Sequence, residues 1–176
     1  KKARVAPKTV NPLVIDFGST WSYSYAAKKP TGFWKNLNYD DTAWKSGKAM
    51  IGFGDKRLKT KVKIPKKPSM TMYFRHRFTF EDKAPGTLKL AIRADDGAVV
   101  YLNGEVIQMF NMREDNIKHG GKATKEIEGK TEEKTQYREV DASLLKKGSN
   151  IIAVEVHQFK RKSDDLYFDL KLFFKN

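Results

Sequence analysis

Hydrophobic and polar positions alternate with a period of two along much of this chain, and no long stretch repeats at the three-and-four spacing of a helix. Trp21-Ser22-Tyr23-Ser24-Tyr25 alternates aromatic with small polar residues, as a strand with one covered face does. Met72 to Phe80 alternates strictly from Phe74 onward, and Leu88 to Arg93 alternates again after a Pro85-Gly86 turn. Asp95-Asp96-Gly97 marks a tight turn into a strand from Ala98 to Leu102. Asn103-Gly104 then predicts a two-residue hairpin, because a type I′ turn needs positive φ at both central positions. The return strand runs from Glu105 to Phe110.

Further on, Tyr137 to Val140 reads as a short strand. Asp141 to Leu145 reads as a capped helical turn, and Asn150 to Gln158 and Leu166 to Phe174 as two more strands. A short apolar run, Leu13 to Asp16, enters the domain, with a turn at Gly18-Ser19. Residues 28–56 lack periodicity and predict a long ordered loop, pinned by buried Trp rings and holding one Asp-capped helical turn at Asp40 to Trp44. Residues 111–135 predict a second long, charged loop. Eight or nine strands with turns every ~8–12 residues predict an all-β sandwich or barrel.

Several of these segments carry a family signature. Gly18-Ser19-Thr20-Trp21, Tyr39 to Trp44 with Gly47, and Gly52-Phe53-Gly54-Asp55 resemble the opening of a galactose-binding-like module. The likeness continues through Tyr73-Phe74-Arg75, Ala94 to Gly104, Asn111-Met112, Gly148 to Gln158 and Ser163 to Leu170, so that it spans residues 12–174 in order. Such modules occur in large secreted bacterial proteins. More distantly, Tyr101-Leu102-Asn103-Gly104 and the Gly148 to Val156 strand are similar to the sugar-binding sandwich domain at the front of β-galactosidases and β-glucuronidases. The resemblance implies a jelly-roll β-sandwich over residues 11–176, with residues 1–10 as a basic linker or arm. It gives no guide to residues 56–67 and 113–135, and the fold alone does not fix a function.

Composition narrows the chemistry. At 176 residues the chain suits one domain with a well-covered core. Cysteine is absent, which excludes disulfides, thiol catalysis and Cys-ligated zinc. His76, His119 and His157 lie far apart, with no short metal-ligand spacing. There is no apolar run near the ~20 residues of a membrane helix. No signal-peptide pattern is present, and a start at Lys1 without Met fits a processed or trimmed chain. The formal net charge is +14, and all of the excess sits in the first half: residues 1–80 hold 18 Lys and Arg against 4 Asp and Glu, whereas residues 81–176 hold 17 of each.

Candidate sites each have a functional and a structural reading. Asp95 and Asp96 before a Gly turn suit Ca²⁺ or sugar hydroxyls, but Asp and Gly are also ordinary turn formers. Asn111, Arg113, His157, Gln158 and Asp164 lie at or beyond strand ends; if those ends converge, they make a polar pocket with Arg93 nearby, or else a hydrogen-bonded cluster that ties loops down. Trp34, in a Gly- and Lys-containing loop, is the aromatic best placed for exposure and for stacking on a sugar ring. Lys59, Lys61 and Lys63 alternate with Leu58, Thr60, Val62 and Ile64; as a strand they put three ammonium groups on one face. That face suits a polyanion such as an anionic glycan or lipopolysaccharide phosphates, or it protects an edge strand. Nucleic acid is disfavoured, since no groove-reading helix or RNA-binding sheet motif is present.

No nucleophile–base pair or spaced carboxylate pair marks a hydrolase, so the expectation is a non-enzymatic carbohydrate-binding or surface-adhesion module. It would belong to an exported protein (secreted, periplasmic or at the cell surface), with other domains of the same protein as partners and no cofactor beyond a Ca²⁺ ion. The alternative is a structural spacer or protein-interaction domain without a small ligand.

Overall fold

The computed structural model describes residues 13–81, 86–129 and 134–175. The basic arm at residues 1–10 and Pro85 of the expected turn lie outside the described residues. Twelve strands are described: β1 (Leu13–Ile15), β2 (Thr20–Ser24), β3 (Lys45–Lys48), β4 (Ile51–Phe53), β5 (Thr60–Lys61), β6 (Thr71–Phe80), β7 (Thr87–Ala94), β8 (Gly97–Leu102), β9 (Glu105–Phe110), β10 (Gln136–Val140), β11 (Gly148–His157) and β12 (Leu166–Lys175).

They form two six-stranded sheets. The first runs β10-β7-β12-β4-β5, with β1 also paired to β12; the second runs β3-β2-β6-β11-β8-β9. Pairing is antiparallel except between β4 and β5, which run parallel. The period-two residues of both sheets meet in one core: Phe74, Val100, Ile152 and Val154 from the second sheet face Leu90, Ile92, Phe168 and Leu170 from the first. All eight are fully buried, and Trp21 sits edge-on to Phe168 at 4.8 Å between ring centres. This is the sandwich that the alternation predicts.

Local chemistry fixes the turns. Asn103 (φ 52°) and Gly104 (φ 99°) form the positive-φ hairpin between β8 and β9. Asp141 caps the 3₁₀ turn Ala142–Leu144 by accepting from the Ser143 N–H. Three strands depart from the expected elements. β3 and β4 lie inside the expected 28–56 loop; Lys45-Ser46-Gly47-Lys48 has no apolar period, and partners on both sheets impose the extended form. Gly52 in β4 lets β12 come close, because a Cβ there would lie 1.8 Å from the Leu166 carbonyl oxygen. The strand expected over 58–64 is paired only at Thr60–Lys61, on the edge of the first sheet. Asp40 to Trp44 forms a plain turn, in which the Thr42 N–H donates to Asp40 and the Trp44 N–H to the Asp41 carbonyl.

The second sheet is covered on both faces. Its outer face carries Tyr73, Val99, Tyr101 and Ala153, which pack with Trp34 into a separate apolar cluster ringed by Tyr39, Trp44, Met112 and Ile117. Residues 26–44 and 111–123 therefore form a layer over this sheet. Trp34 is 3% exposed, which corrects its expected role as an open stacking ring. The cause is Arg75, fully buried on β6. Its guanidinium donates to the Trp34, Asn36 and Tyr39 carbonyls and to Asp41 Oδ2 at 3.0 Å, and so draws the loop onto the sheet. Asp41 also accepts from Arg77 at 2.7 Å. Burial pushes the Asp41 carboxyl up, but the two arginines outweigh it and hold it below the usual carboxylate range.

Candidate functional site

Strand register brings six chain segments to one end of the sandwich: the end of β4, the β7–β8 turn, the end of β9, the start of β10, and both sides of the β11–β12 connection. Between them lies a hollow of about 380 Å³, bordered by Gly54, Asp95, Asp96, Glu126 to Glu128, Lys160, Lys162 and Ser163 to Asp165. A second hollow, of about 520 Å³, lies on the other side of Glu126-Ile127-Glu128 and reaches Asn111, Lys125, Lys134 and Gln136.

The turn residues of this end serve mainly to hold it in shape. Asp96 Oδ1 accepts from the Ile127 N–H at 2.8 Å and Oδ2 from the Phe159 N–H at 2.7 Å, so one carboxylate ties both bordering loops to the β7–β8 turn. Asn111 Nδ2 donates to the Asp96 and Lys125 carbonyls while its Oδ1 accepts from the Lys125 N–H. Gln158 Nε2 donates to the Asp165 carbonyl. Asp95 is buried and hydrogen-bonds Asp165, whose carboxyl is raised by burial and by the Asp96 and Asp55 charges. The pair expected to hold Ca²⁺ does not fit it: both Asp96 oxygens are committed to backbone N–H groups. Among the described residues no group of three or more His, Asp or Glu is placed to hold a metal ion.

Charged side chains lining the hollow include Asp164, Glu128, Lys162 and Lys160, the last paired with Glu126 at 2.5 Å. Of these, Asp164 was legible in the sequence. The others lie in charged loops without periodicity, where the one available signal is that loops at the same sandwich end converge.

Several expected site residues lie elsewhere. His157 is fully buried beneath residues 119–121: its Nδ1 lies 2.8 Å from the Gly121 carbonyl oxygen, and its Nε2 lies 3.3 Å from Glu155 Oε2. Glu155 also accepts from the Tyr101 hydroxyl. Burial pushes the Glu155 carboxyl up, but His157, Tyr101 and the Lys35 charge bring it below its ordinary value. Tyr73, on the same face, donates to His119 Nδ1 at 3.0 Å, and His119 Nε2 donates to the Ala27 carbonyl. This network fastens the covering loops, and its Glu155 and His157 are buried, so His157 does not join the pocket expected at the strand ends. Arg93 lies on the outer face of the first sheet, where it donates to Thr135 Oγ1 and stacks over Phe17 at 4.2 Å. Arg113 is exposed and pairs with Asp115 at 3.0 Å. Lys59, Lys61 and Lys63 are all exposed and Val62 is buried, but Ile64, expected on the covered face, is 48% exposed, so the sidedness holds only around Val62.

Among the described residues no helix is long and apolar enough to cross a membrane. No protein-family model and no curated protein matches the sequence. Among solved structures, the chain is similar to a beta-glucuronidase from glycoside hydrolase family 2 at 16% identity and a TM-score of 0.54, over 93% of this chain and 17% of that one. It is similar to a calcium binding mutant of Bacteroides uniformis beta-glucuronidase 2 at 15% identity and a TM-score of 0.53, over 88% and 17%. The same B. uniformis enzyme covalently bound to cyclophellitol-6-carboxylate aziridine gives 15% and 0.52 over the same shares. At these identities the likeness is one of fold: the chain has the β-sandwich architecture of one part of these glycosidases and spans about a sixth of their length.

Proposed function

We propose that this chain is a non-catalytic carbohydrate-binding module of an exported multidomain protein, and that it binds its glycan at the loop end of the sandwich. The observation that carries this reading is the hollow beside Asp164. It presents carboxylates and ammonium groups side by side on loops locked by Asp96 and Asn111. Sugar hydroxyls donate and accept hydrogen bonds at once, so a rigid rim of alternating charged acceptors and donors suits them. The sandwich likeness to one part of glycosidases supports a sugar-related setting, and the burial of Glu155 and His157 argues against a reactive role for that pair. Export is part of the proposal and rests on the resemblance to secreted modules.

Isothermal titration with a panel of neutral and acidic oligosaccharides tests this. Binding that survives about 0.3 M salt and falls about tenfold in a Lys162→Ala/Asp164→Ala variant is the expected result. A second reading, a spacer domain without ligand, is favoured by the burial of Trp34, which removes the ring expected to stack on a sugar. If no oligosaccharide binds the folded domain at the loop end, the spacer reading replaces the first.

A further inference from the structure

Away from the loop end, one edge of the sandwich is strongly basic. Residues 45–67 hold nine Lys and Arg and a single carboxylate, Asp55, which is taken by Arg57 at 2.5 Å. The segment supplies the edge strand of each sheet, β3 and β5, and the two edges lie together: the Thr60 hydroxyl donates to the Lys48 carbonyl at 2.8 Å across them. Lys45 and Lys48 on one edge and Lys59, Lys61, Lys63, Lys66 and Lys67 on the other are all exposed. Among the described residues none of the seven takes part in an ion pair.

Edge protection alone does not account for this set. A charge or two blocks strand pairing, β5 offers just two residues to pair with, and the lysines continue beyond it to Lys67. Gathering seven uncompensated ammonium groups opposes folding through their mutual repulsion, and a bound polyanion relieves it.

The same edge holds a small pocket of about 160 Å³ between Tyr23, Tyr25, Trp44 and Val62, with Lys45 and Lys63 at its rim. Trp44 and Tyr25 keep part of their surface exposed. Both rings are braced from behind: Tyr25 stacks on Phe53 and donates to the Ser69 carbonyl, and Trp44 stacks on Trp34. Apolar ring faces flanked by two ammonium groups fit a single sugar ring that bears a carboxylate or sulfate.

We infer that this edge is a docking surface for an acidic polysaccharide, with one charged sugar unit in the Tyr25–Trp44 pocket and neighbouring units along Lys59, Lys61 and Lys63. Lys61 ends the short strand, with Lys59 at the bend before it and Lys63 two residues beyond, so three exposed cations follow one another along the edge for a polymer that carries repeated anions. Single-stranded nucleic acid fits less well, since it uses successive stacking platforms and this edge offers one pocket. The surface is separate from the loop-end hollow, and each stands or falls without the other.

Biolayer interferometry of the whole chain with polygalacturonate, neutral dextran of matched length, a dT oligonucleotide and anionic lipid vesicles tests the inference at about 0.15 M salt. Polygalacturonate should bind more tightly than the oligonucleotide or the vesicles, and dextran should not bind. A Lys59→Glu/Lys61→Glu/Lys63→Glu variant should lose about tenfold or more in affinity. A Lys45→Ala/Lys63→Ala variant, which leaves the rings in place, should lose a severalfold share of it. Unchanged polygalacturonate binding in both lysine variants would overturn the inference, as would tighter binding of the oligonucleotide or the vesicles.

Discussion

Asp169 offers a quantitative check on the packing at the outer face of the first sheet. It sits on β12 opposite Arg93 of β7, is 4% exposed, and accepts from the Gly18 N–H at 3.1 Å and its neighbour Leu170 N–H at 2.9 Å. Burial raises its carboxyl more than those two N–H groups and the Arg93 charge lower it, leaving it at about 6 against an ordinary 3.8. The folded state therefore holds this proton more tightly than the unfolded chain does. Its contribution to stability is fully present below about pH 4 and is lost as pH rises through about 6. A shift of about two units, at about 1.4 kcal/mol each, bounds the loss at about 3 kcal/mol above pH 6.

Asp169→Asn removes the charge and keeps an oxygen to accept from both N–H groups. It also places an amide where a carboxylate oxygen attracted Arg93, which offsets part of the gain. The variant should be more stable than the parent by about 1–2 kcal/mol at pH 7.5 and within about 0.5 kcal/mol of it at pH 4. Urea denaturation followed by tryptophan fluorescence at the two pH values reads this directly. A variant less stable at pH 7.5, or a difference that does not change with pH, would refute the reasoning.

Two further predictions concern the loop layer over the second sheet. Arg75→Met should cost about 3–5 kcal/mol, because Asp41 and three loop carbonyls lose a buried partner. Hydrogen exchange should then speed up first in residues 26–44, and uniform protection across that loop would count against Arg75 as its anchor. Trp34→Ala should cost about 3–5 kcal/mol in thermal or urea unfolding, as truncation of a large buried ring does, and a variant of parental stability would place Trp34 back at the surface.

The sequence by itself determined the two-layer β architecture, the Asn103-Gly104 hairpin, the capped turn at Asp141 and the inward set Phe74, Leu90, Val100 and Val154. These follow from period-two burial and from residue-specific backbone preferences, which act within a few positions of the chain. It also marked the lysine segment, because charge density is a property of composition.

Tertiary structure alone decided the rest. The fate of Trp34 depends on Arg75, 41 residues away, and the strands at Lys45–Lys48 and Ile51–Phe53 exist because β2 and β12 offer them partners. His157 and Asp164, seven residues apart, separate into a buried clasp and an open rim, since strand direction and loop path set which groups meet. Alternation fixes which face of a strand is covered, but what lies over that face is a long-range matter, and here a layer of aperiodic loop covers a sheet that has core on its other side.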